Sequence, residues 1–182
     1  SGCTDNWQKM SDHVSFMKDR VNGVQLSKNG QRLVIYGDIS GEFEKADYVL
    51  FTHHRRELIR AGRKLVENGA RAAVPANEAE NIEHPGRFWK DFLEKRGGYF
   101  GGMMTNRVTE SMEVPEKVRG GDRISWQGLD IKVLNTPGYA ENAVSYMINI
   151  DEKKYAFLGD LIYDQGQIAD IYNLQSAVES TG

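Results

Sequence analysis

Residues 46 to 57 read ADYVLFTHHRRE, and this stretch changes character halfway along. It begins as a short apolar run with β-branched and aromatic side chains, which predicts a buried strand. It ends in two histidines, two arginines and an acid, which a strand of this kind delivers to the rim of a sheet, where ligands bind. Two interpretations follow: either His53 and His54 hold a metal ion, or Arg55 and Arg56 give the rim another role.

The residues after this strand have helical periodicity. From His54 to Asn68 the apolar side chains recur on one face, and Asn68-Gly69 is expected to end the helix. Residues 70 to 75 form another short apolar run, so the segment predicts a β-α-β unit with parallel strands and a right-handed crossover. The basic side chains of this helix are predicted to form a solvated face: Arg56, Arg60, Arg63 and Lys64.

Turn signals predict three hairpins elsewhere in the chain. Each has two short strands around a two-residue turn: 23–37 around Asn29-Gly30, 124–134 around Gln127-Gly128, and 144–158 around Asp151-Glu152. This order, with strands first, then β-α-β, then strands again, suits a mixed sheet or two sheets covered by helices. It suits a doubly wound sheet less well.

Three further segments have weaker signals. Residues 77–95 are predicted to be helical in part, with a break at His84-Pro85-Gly86, and residues 167–178 have weak helical periodicity. The glycine-rich residues 96–106 predict a loop. The aromatic residues of the first segment are expected in the core or over the rim: Phe88, Trp89 and Phe92.

Length and composition bound the class of protein. The chain has 182 residues, 40% of them hydrophobic, which suffices for one domain with a real core, or for most of a larger one. The net charge of −3 gives no reason to expect binding to nucleic acid or to an anionic membrane. No run approaches the ~18 apolar residues of a transmembrane helix. The expected partner is a small-molecule substrate, with an anionic one suggested by the arginines, and a homo-oligomer stays open.

Cys3 is the only cysteine, which excludes an internal disulfide framework and a cysteine-rich zinc module. The first three residues, Ser-Gly-Cys, match the end of a bacterial lipoprotein signal, in which the cysteine carries a lipid. The alternative is an arbitrary start of the chain. The first interpretation predicts the cell envelope or periplasm, and the second leaves a cytoplasmic location open.

Three segments lie where a predicted strand runs into a polar turn: 52–57 (THHRRE), 135–146 (NTPGYAENAVSY) and 157–163 (FLGDLIY). Strand ends of this kind bring residues that are distant in sequence to one rim. Asp160 follows Gly159 at the end of an apolar strand, where a buried acid needs a partner or a metal. The alternative is that Asp160 is a turn residue that caps the next segment.

Together these three segments resemble the metallo-β-lactamase superfamily. The resemblance extends from the hairpin at 23 to about residue 163, and its most specific part is NTPGY, AVSY and FLGDLIY in that order. It implies an αββα sandwich, and a function that generally uses one or two zinc or iron ions to activate water for hydrolysis. It also implies that this chain is the amino-terminal part of a longer one, truncated before the closing strands and helices.

The family's first metal motif, Thr-His-x-His-x-Asp-His, matches this sequence only in part. Aligned on Thr52, the first histidine is His53, and His54 falls on the spacer. Arg55 stands at the second histidine position and Glu57 at the aspartate position. Leu58 replaces the last histidine of the motif.

The other ligand positions are also altered. The family's Thr-Pro-Gly-His appears with Tyr139 in place of the histidine, whereas the bridging aspartate is present as Asp160. A two-zinc site needs about three or four protein ligands per metal, so a standard dinuclear site cannot be assembled here. An altered mononuclear zinc or iron site of His53, Glu57 and Asp160 stays open. His54 is a less favoured fourth ligand, because adjacent side chains tend to point in different directions.

Two hypotheses for function follow from these substitutions. In the first, the chain is an atypical hydrolase in which metal-activated water attacks an ester, amide or phosphoester. His53 and Asp160 are ligands, Glu57 is a ligand or general base, and Arg55 and Tyr139 orient the substrate or stabilise its anion. In the second, the domain is a metal-free, non-catalytic binding or structural domain, and Arg55, Glu57 and Asp160 form an ion-paired network in place of the metals.

Overall fold

The computed structural model describes residues 7–18, 22–38, 40–95 and 108–162. These described residues form two β-sheets, one of seven strands and one of four, together with three helices. The predicted glycine-rich loop at 96–106 and the predicted helix at 167–178 lie outside the described residues.

The first sheet has its seven strands in sequence order, β1 to β7. The first four strands pair antiparallel, and the pairs β4–β5, β5–β6 and β6–β7 are parallel. Its strands are β1 (Gln8–Lys9), β2 (Val14–Met17), β3 (Gly23–Lys28), β4 (Gln31–Ile35), β5 (Tyr48–Leu50), β6 (Arg71–Pro75) and β7 (Glu116–Val118). The β3–β4 hairpin and the β-α-β unit are therefore confirmed.

The second sheet is antiparallel throughout, in the order β11-β10-β9-β8. Its strands are β8 (Arg123–Trp126), β9 (Leu129–Asn135), β10 (Val144–Ile150) and β11 (Lys153–Phe157). Gln127 and Gly128 turn with φ of 50° and 75°, and Asp151 and Glu152 with φ of 54° and 59°. These positive values are those of tight hairpin turns, so the two later hairpins are confirmed as well.

The helices are α1 (Arg56–Glu67), α2 (Ala79–Glu83) and α3 (Pro85–Lys95). The predicted break at 84–86 is confined to His84, because Pro85 and Gly86 begin α3. On α1, Arg56, Arg60 and Lys64 are exposed as expected. The prediction for Arg63 was wrong, because its guanidinium donates to the backbone carbonyls of Glu110 and Ser111 and its side chain is only 15% exposed.

The buried hydrophobic residues form two clusters, one on each face of the first sheet. Consecutive residues of β4 alternate between them: Leu33 and Ile35 face the second sheet, and Val34 faces the helices. The helix-side core includes Ile59 and Leu65 of α1. The described residues thus form helix, sheet and sheet layers, which are three of the four layers of the predicted αββα sandwich. Within the same part of the chain, no helix is long and apolar enough to cross a membrane.

Candidate functional site

The segment after β5 lies at the carboxyl end of the parallel strands and is held by the second sheet. Tyr146, fully buried on β10, donates its hydroxyl to the carbonyl of Phe51 at 2.7 Å. The amide of Val144 donates to the carbonyl of Thr52 at 2.9 Å. These bonds place the residues that follow, beginning with His53, at the edge where the two sheets meet.

The turn after β11 approaches this segment closely because it contains Gly159. A Cβ on Gly159 would lie 2.6 Å from Thr52 Oγ1, and the residue has φ of +61°, so glycine is needed for both space and conformation. The Gly159 amide donates to the hydroxyl oxygen of Tyr36 at 2.6 Å. Burial raises the pKa of Tyr36, which therefore stays a phenol. Tyr36 thus positions the turn that carries Asp160, a role that no local sequence signal indicates.

His53 is buried, with 1% of its side chain exposed. Its Nδ1 lies 2.9 Å from Thr52 Oγ1, and its Nε2 lies 3.3 Å from Asp160 Oδ2. That second contact is not a well-aligned hydrogen bond, and within the described structure Nε2 has no hydrogen-bond partner. Burial lowers the pKa of His53 despite the nearby acid, so the imidazole is neutral at neutral pH.

Arg55 joins the two acids of the predicted site. Its Nη1 donates to Asp160 Oδ2 at 2.7 Å, and its Nε donates to Glu57 Oε2 at 3.1 Å. Burial alone would raise the pKa of Asp160, but His53 and Arg55 together bring it below its ordinary value. We call His53, Arg55, Glu57 and Asp160 the Arg55 cluster. It holds one guanidinium between two carboxylates.

Tyr139, which stands at a ligand position of the family motif, lies over this cluster. Its ring centroid is 4.7 Å from that of His53, and the guanidinium carbon of Arg55 is 5.9 Å from the same ring. The structure therefore brings Tyr139 to the predicted site as an aromatic neighbour of both residues.

His54 points to the other side of the loop. Its Nδ1 contacts Glu78 Oε2, and its ring lies 6.4 Å from the rings of Phe88 and Trp89 on α3. Glu78 is only 4% exposed, and burial alone would raise its pKa. The charge and hydrogen bond of His54 bring the pKa of Glu78 below its ordinary value instead. His54 thus belongs to a second pair, separate from the Arg55 cluster.

Sequence reasoning missed Glu78. It follows β6, which is parallel to β5 and ends at the same edge of the sheet. That placement was the available signal, because carboxyl ends of neighbouring parallel strands meet at one edge.

The donor set does not fit a two-metal centre. Across the four described ranges, no group of three or more His, Cys, Asp or Glu side chains is placed to hold a metal ion. His53 Nε2 and Asp160 face each other, but the same Asp160 oxygen also accepts from Arg55. The predicted mononuclear set of His53, Glu57 and Asp160 is thus interrupted by a guanidinium, and His54 is turned away from it.

A cavity of about 710 Å³ borders the cluster. Arg55 and Asp160 lie on its wall, beside a mostly apolar lining that includes Val24, Leu58 and Phe157. It has the size and character of a small-molecule site, with a few polar groups on an apolar surface.

No family model matches the chain, and no curated protein matches it. Solved structures do match in fold. The native FEZ-1 metallo-β-lactamase from Legionella gormanii has a TM-score of 0.65 at 15% identity, over 88% of this chain and 66% of that one. A metallo-β-lactamase with a HARLDQ motif from Cronobacter sakazakii has a TM-score of 0.62 at 15% identity, over 83% and 63%.

A class B3 di-zinc metallo-β-lactamase from an Alaskan soil metagenome, LRA-12, has a TM-score of 0.61 at 11% identity, over 86% of this chain and 64% of that one. The chain therefore spans slightly less than two thirds of the length of these neighbours. At such low identity the similarity shows the fold alone: the chain has the metallo-β-lactamase fold.

Proposed function

We propose that this chain, which has the metallo-β-lactamase fold, is a metal-independent binding domain in which the Arg55 guanidinium replaces the metal ions. The observation that carries the proposal is the pairing of Arg55 with both Asp160 and Glu57. A carboxylate that accepts a short charge-assisted bond from arginine is stabilised as an anion without a metal. Arg55 thereby supplies the positive charge that these acids need.

The ligand proposed for this site is a small molecule with an anionic group. The cavity beside the cluster is large enough for one, and Arg55 is still 25% exposed. Among the described residues, Nη2 of Arg55 has no hydrogen-bond partner, since its two bonds use Nε and Nη1. That nitrogen can donate to a carboxylate or phosphate that enters from the cavity.

Metal content of the purified full-length protein tests this proposal. Protein grown with added zinc and iron, then passed over a desalting column without chelator, is expected to carry background metal only. The variants His53→Ala and Asp160→Ala are expected to carry the same background. Near-stoichiometric metal in the wild type that either variant loses would overturn the proposal.

A second candidate is the atypical hydrolase. It is favoured by His53, whose buried Nε2 has no hydrogen-bond partner in the described part of the chain and faces Asp160. It is also favoured by the HARLDQ motif of the Cronobacter sakazakii metallo-β-lactamase. Read from its histidine, that motif has arginine at the position of Arg55 and an acid at the position of Glu57, where this chain reads HHRREL.

In this candidate His53 and Asp160 would hold one zinc or iron ion, which would supply an activated water. Glu57 is a further ligand or the general base, and Arg55 and Tyr139 hold the substrate anion. Loading the purified protein with zinc and assaying ester, amide and phosphoester substrates separates the two candidates. Turnover that disappears in Asp160→Asn supports the hydrolase, and no turnover by a zinc-loaded, folded protein counts against it.

A further inference from the structure

A second cavity lies at the opposite end of the parallel strands. It measures about 950 Å³ and is lined by the beginnings of β4, β5 and β6, the β3–β4 turn and the residues that follow α1. The Arg55 cluster lies beyond the other ends of the same strands, and the two cavities share no residue. Neither the sequence motifs nor the function proposed above accounts for this second cavity.

The lining of this cavity is basic on a chain that is acidic as a whole. Four cationic side chains line it, against one carboxylate, that of Asp47. The four are Lys28, Arg32, Lys45 and Arg71. Because the chain has a net charge of −3, this concentration of positive charge is local and is not a consequence of overall composition.

The two lysines have no competing partner. In the described structure, neither Lys28 nor Lys45 has an acid within ion-pair distance, whereas Lys9, Lys90 and Lys117 each pair with one. Their ammonium groups are therefore available to an anion that enters the cavity.

Arg32 is held in place by other contacts. Its guanidinium lies 3.8 Å from the Phe43 ring centroid, and its Nε donates to Gln25 at 3.1 Å. A fixed guanidinium loses little conformational entropy when it binds an anion, so these contacts preorganise Arg32. Arg71 lies 4.5 Å from the ring centroid of Tyr48, but it is 63% exposed and forms an ion pair with Glu116 at 2.8 Å, which already balances part of its charge.

Trp126 of β8 also lines the cavity, with its indole nitrogen buried beneath the surface. Trp126 is 5% exposed, and within the described residues its Nε1 has no hydrogen-bond partner. Nearby, Asn29 donates to Gln127 at 3.1 Å, which links the turns of the two sheets at the rim of the cavity.

We propose that this cavity is a binding site for a small polyanion, that is, a molecule with two or more phosphate or carboxylate groups. Lys28 and Lys45 contribute charge, and Arg32 and Arg71 contribute guanidinium donors. Trp126, which lines the cavity, reports on binding. The site is independent of the Arg55 cluster.

Titration of ¹⁵N-labelled full-length protein with inorganic pyrophosphate, and separately with citrate, tests the proposal by NMR. The indole N–H signal of Trp126, assigned by its loss in Trp126→Phe, is expected to shift in a saturable way. The double variant Lys28→Gln/Lys45→Gln is expected to weaken binding by about tenfold or more. Tighter binding of pyrophosphate identifies phosphate as the preferred group, and tighter binding of citrate identifies carboxylate.

The matched control is Lys132→Gln/Lys154→Gln, which removes the same charge from the second sheet, outside the cavity. It is expected to keep wild-type affinity. Equal weakening by the two double variants would mean that only the overall charge matters, and this would overturn the proposal. So would the absence of any saturable shift of the Trp126 signal. Metal content and hydrolase assays do not enter this test, so it can fail or succeed independently of the function proposed for Arg55.

Discussion

His53 and His54 are adjacent in sequence, yet they belong to two different pairs on opposite sides of one loop. His53 is buried against Asp160, an acid that it shares with Arg55. His54 pairs with Glu78, and no arginine takes part in the contacts described for that pair. The difference teaches that the identity of a residue in a metal motif does not define its role. The role depends on whether the acid that faces the histidine also pairs with an arginine, as Asp160 does.

The largest effect is expected from removing the guanidinium that only one of the two pairs contains. Arg55→Leu leaves Asp160, 21% exposed, without its cationic partner, and should destabilise the fold by about 2–3 kcal/mol in chemical denaturation. The same substitution at Arg60, which is exposed on α1, should change stability by about 0.5 kcal/mol or less. Equal effects at the two positions would show that Arg55 has no special role.

A second variant tests the close contact between the Gly159 turn and Thr52, and it removes no charge. Gly159→Ala places a Cβ 2.6 Å from Thr52 Oγ1 at a positive φ, and should cost about 2 kcal/mol. Gly128→Ala has a similar φ of +75° but open space around the new methyl group, and should cost about 1 kcal/mol. The difference between the stability losses of the two variants measures the cost of the contact with Thr52. Equal losses would show that this contact is not close.

The other pair is tested by Glu78→Gln, which keeps the shape and removes the charge. The hydrogen bond from His54 becomes a neutral one, so stability at pH 7 should fall by about 1 kcal/mol. The exposed variant Glu67→Gln at the end of α1 is the control. Stability that does not fall relative to this control would show that the His54 contact is not charge-assisted.

The smallest effect is the dependence of stability on pH. Since burial lowers the pKa of His53 below 6.5, the unfolded chain binds a proton that the folded chain does not, and stability should fall as pH drops below 6.5. Between pH 7.5 and 5.5 the loss should reach up to about 1 kcal/mol, and His53→Gln should abolish it. A rise in stability on acidification over this range would contradict a lowered pKa of His53.

Glu78 acts at lower pH and in the same direction. Its pKa is below the ordinary 4.5, so its contribution is complete above that value and is lost as pH falls through the pKa of the folded state. The wild type should therefore lose more stability than Glu78→Gln between pH 5 and pH 3. Parallel curves for the two proteins would contradict the pKa direction.

Much of the fold was predictable, because it depends on local patterns. The run before Thr52, the helical spacing after it and the turns at Asn29 and Gln127 each identify an element from a few adjacent residues. The convergence of His53 and Asp160 was also predictable, since both follow apolar strands at one rim. Because adjacent side chains tend to point in different directions, binding of one metal by both His53 and His54 was the less favoured interpretation.

The rest depends on contacts between residues that are far apart in sequence. Glu78 lies 24 residues from His54 in sequence. Tyr36 lies 123 residues from Gly159, and its hydroxyl oxygen accepts a hydrogen bond from the Gly159 amide. No periodicity or turn signal marks either contact. The bridging of Asp160 and Glu57 by Arg55 depends on side-chain geometry, and the sequence left substrate binding as an equal alternative for this residue.

A crystal structure of the protein grown with excess zinc, with diffraction data collected at the zinc absorption edge, tests the central claim most directly. The account predicts the Arg55 guanidinium between Asp160 and Glu57, with no anomalous peak within bonding distance of His53 Nε2. An anomalous peak bound by His53 and Asp160, with Arg55 displaced from both acids, would contradict it.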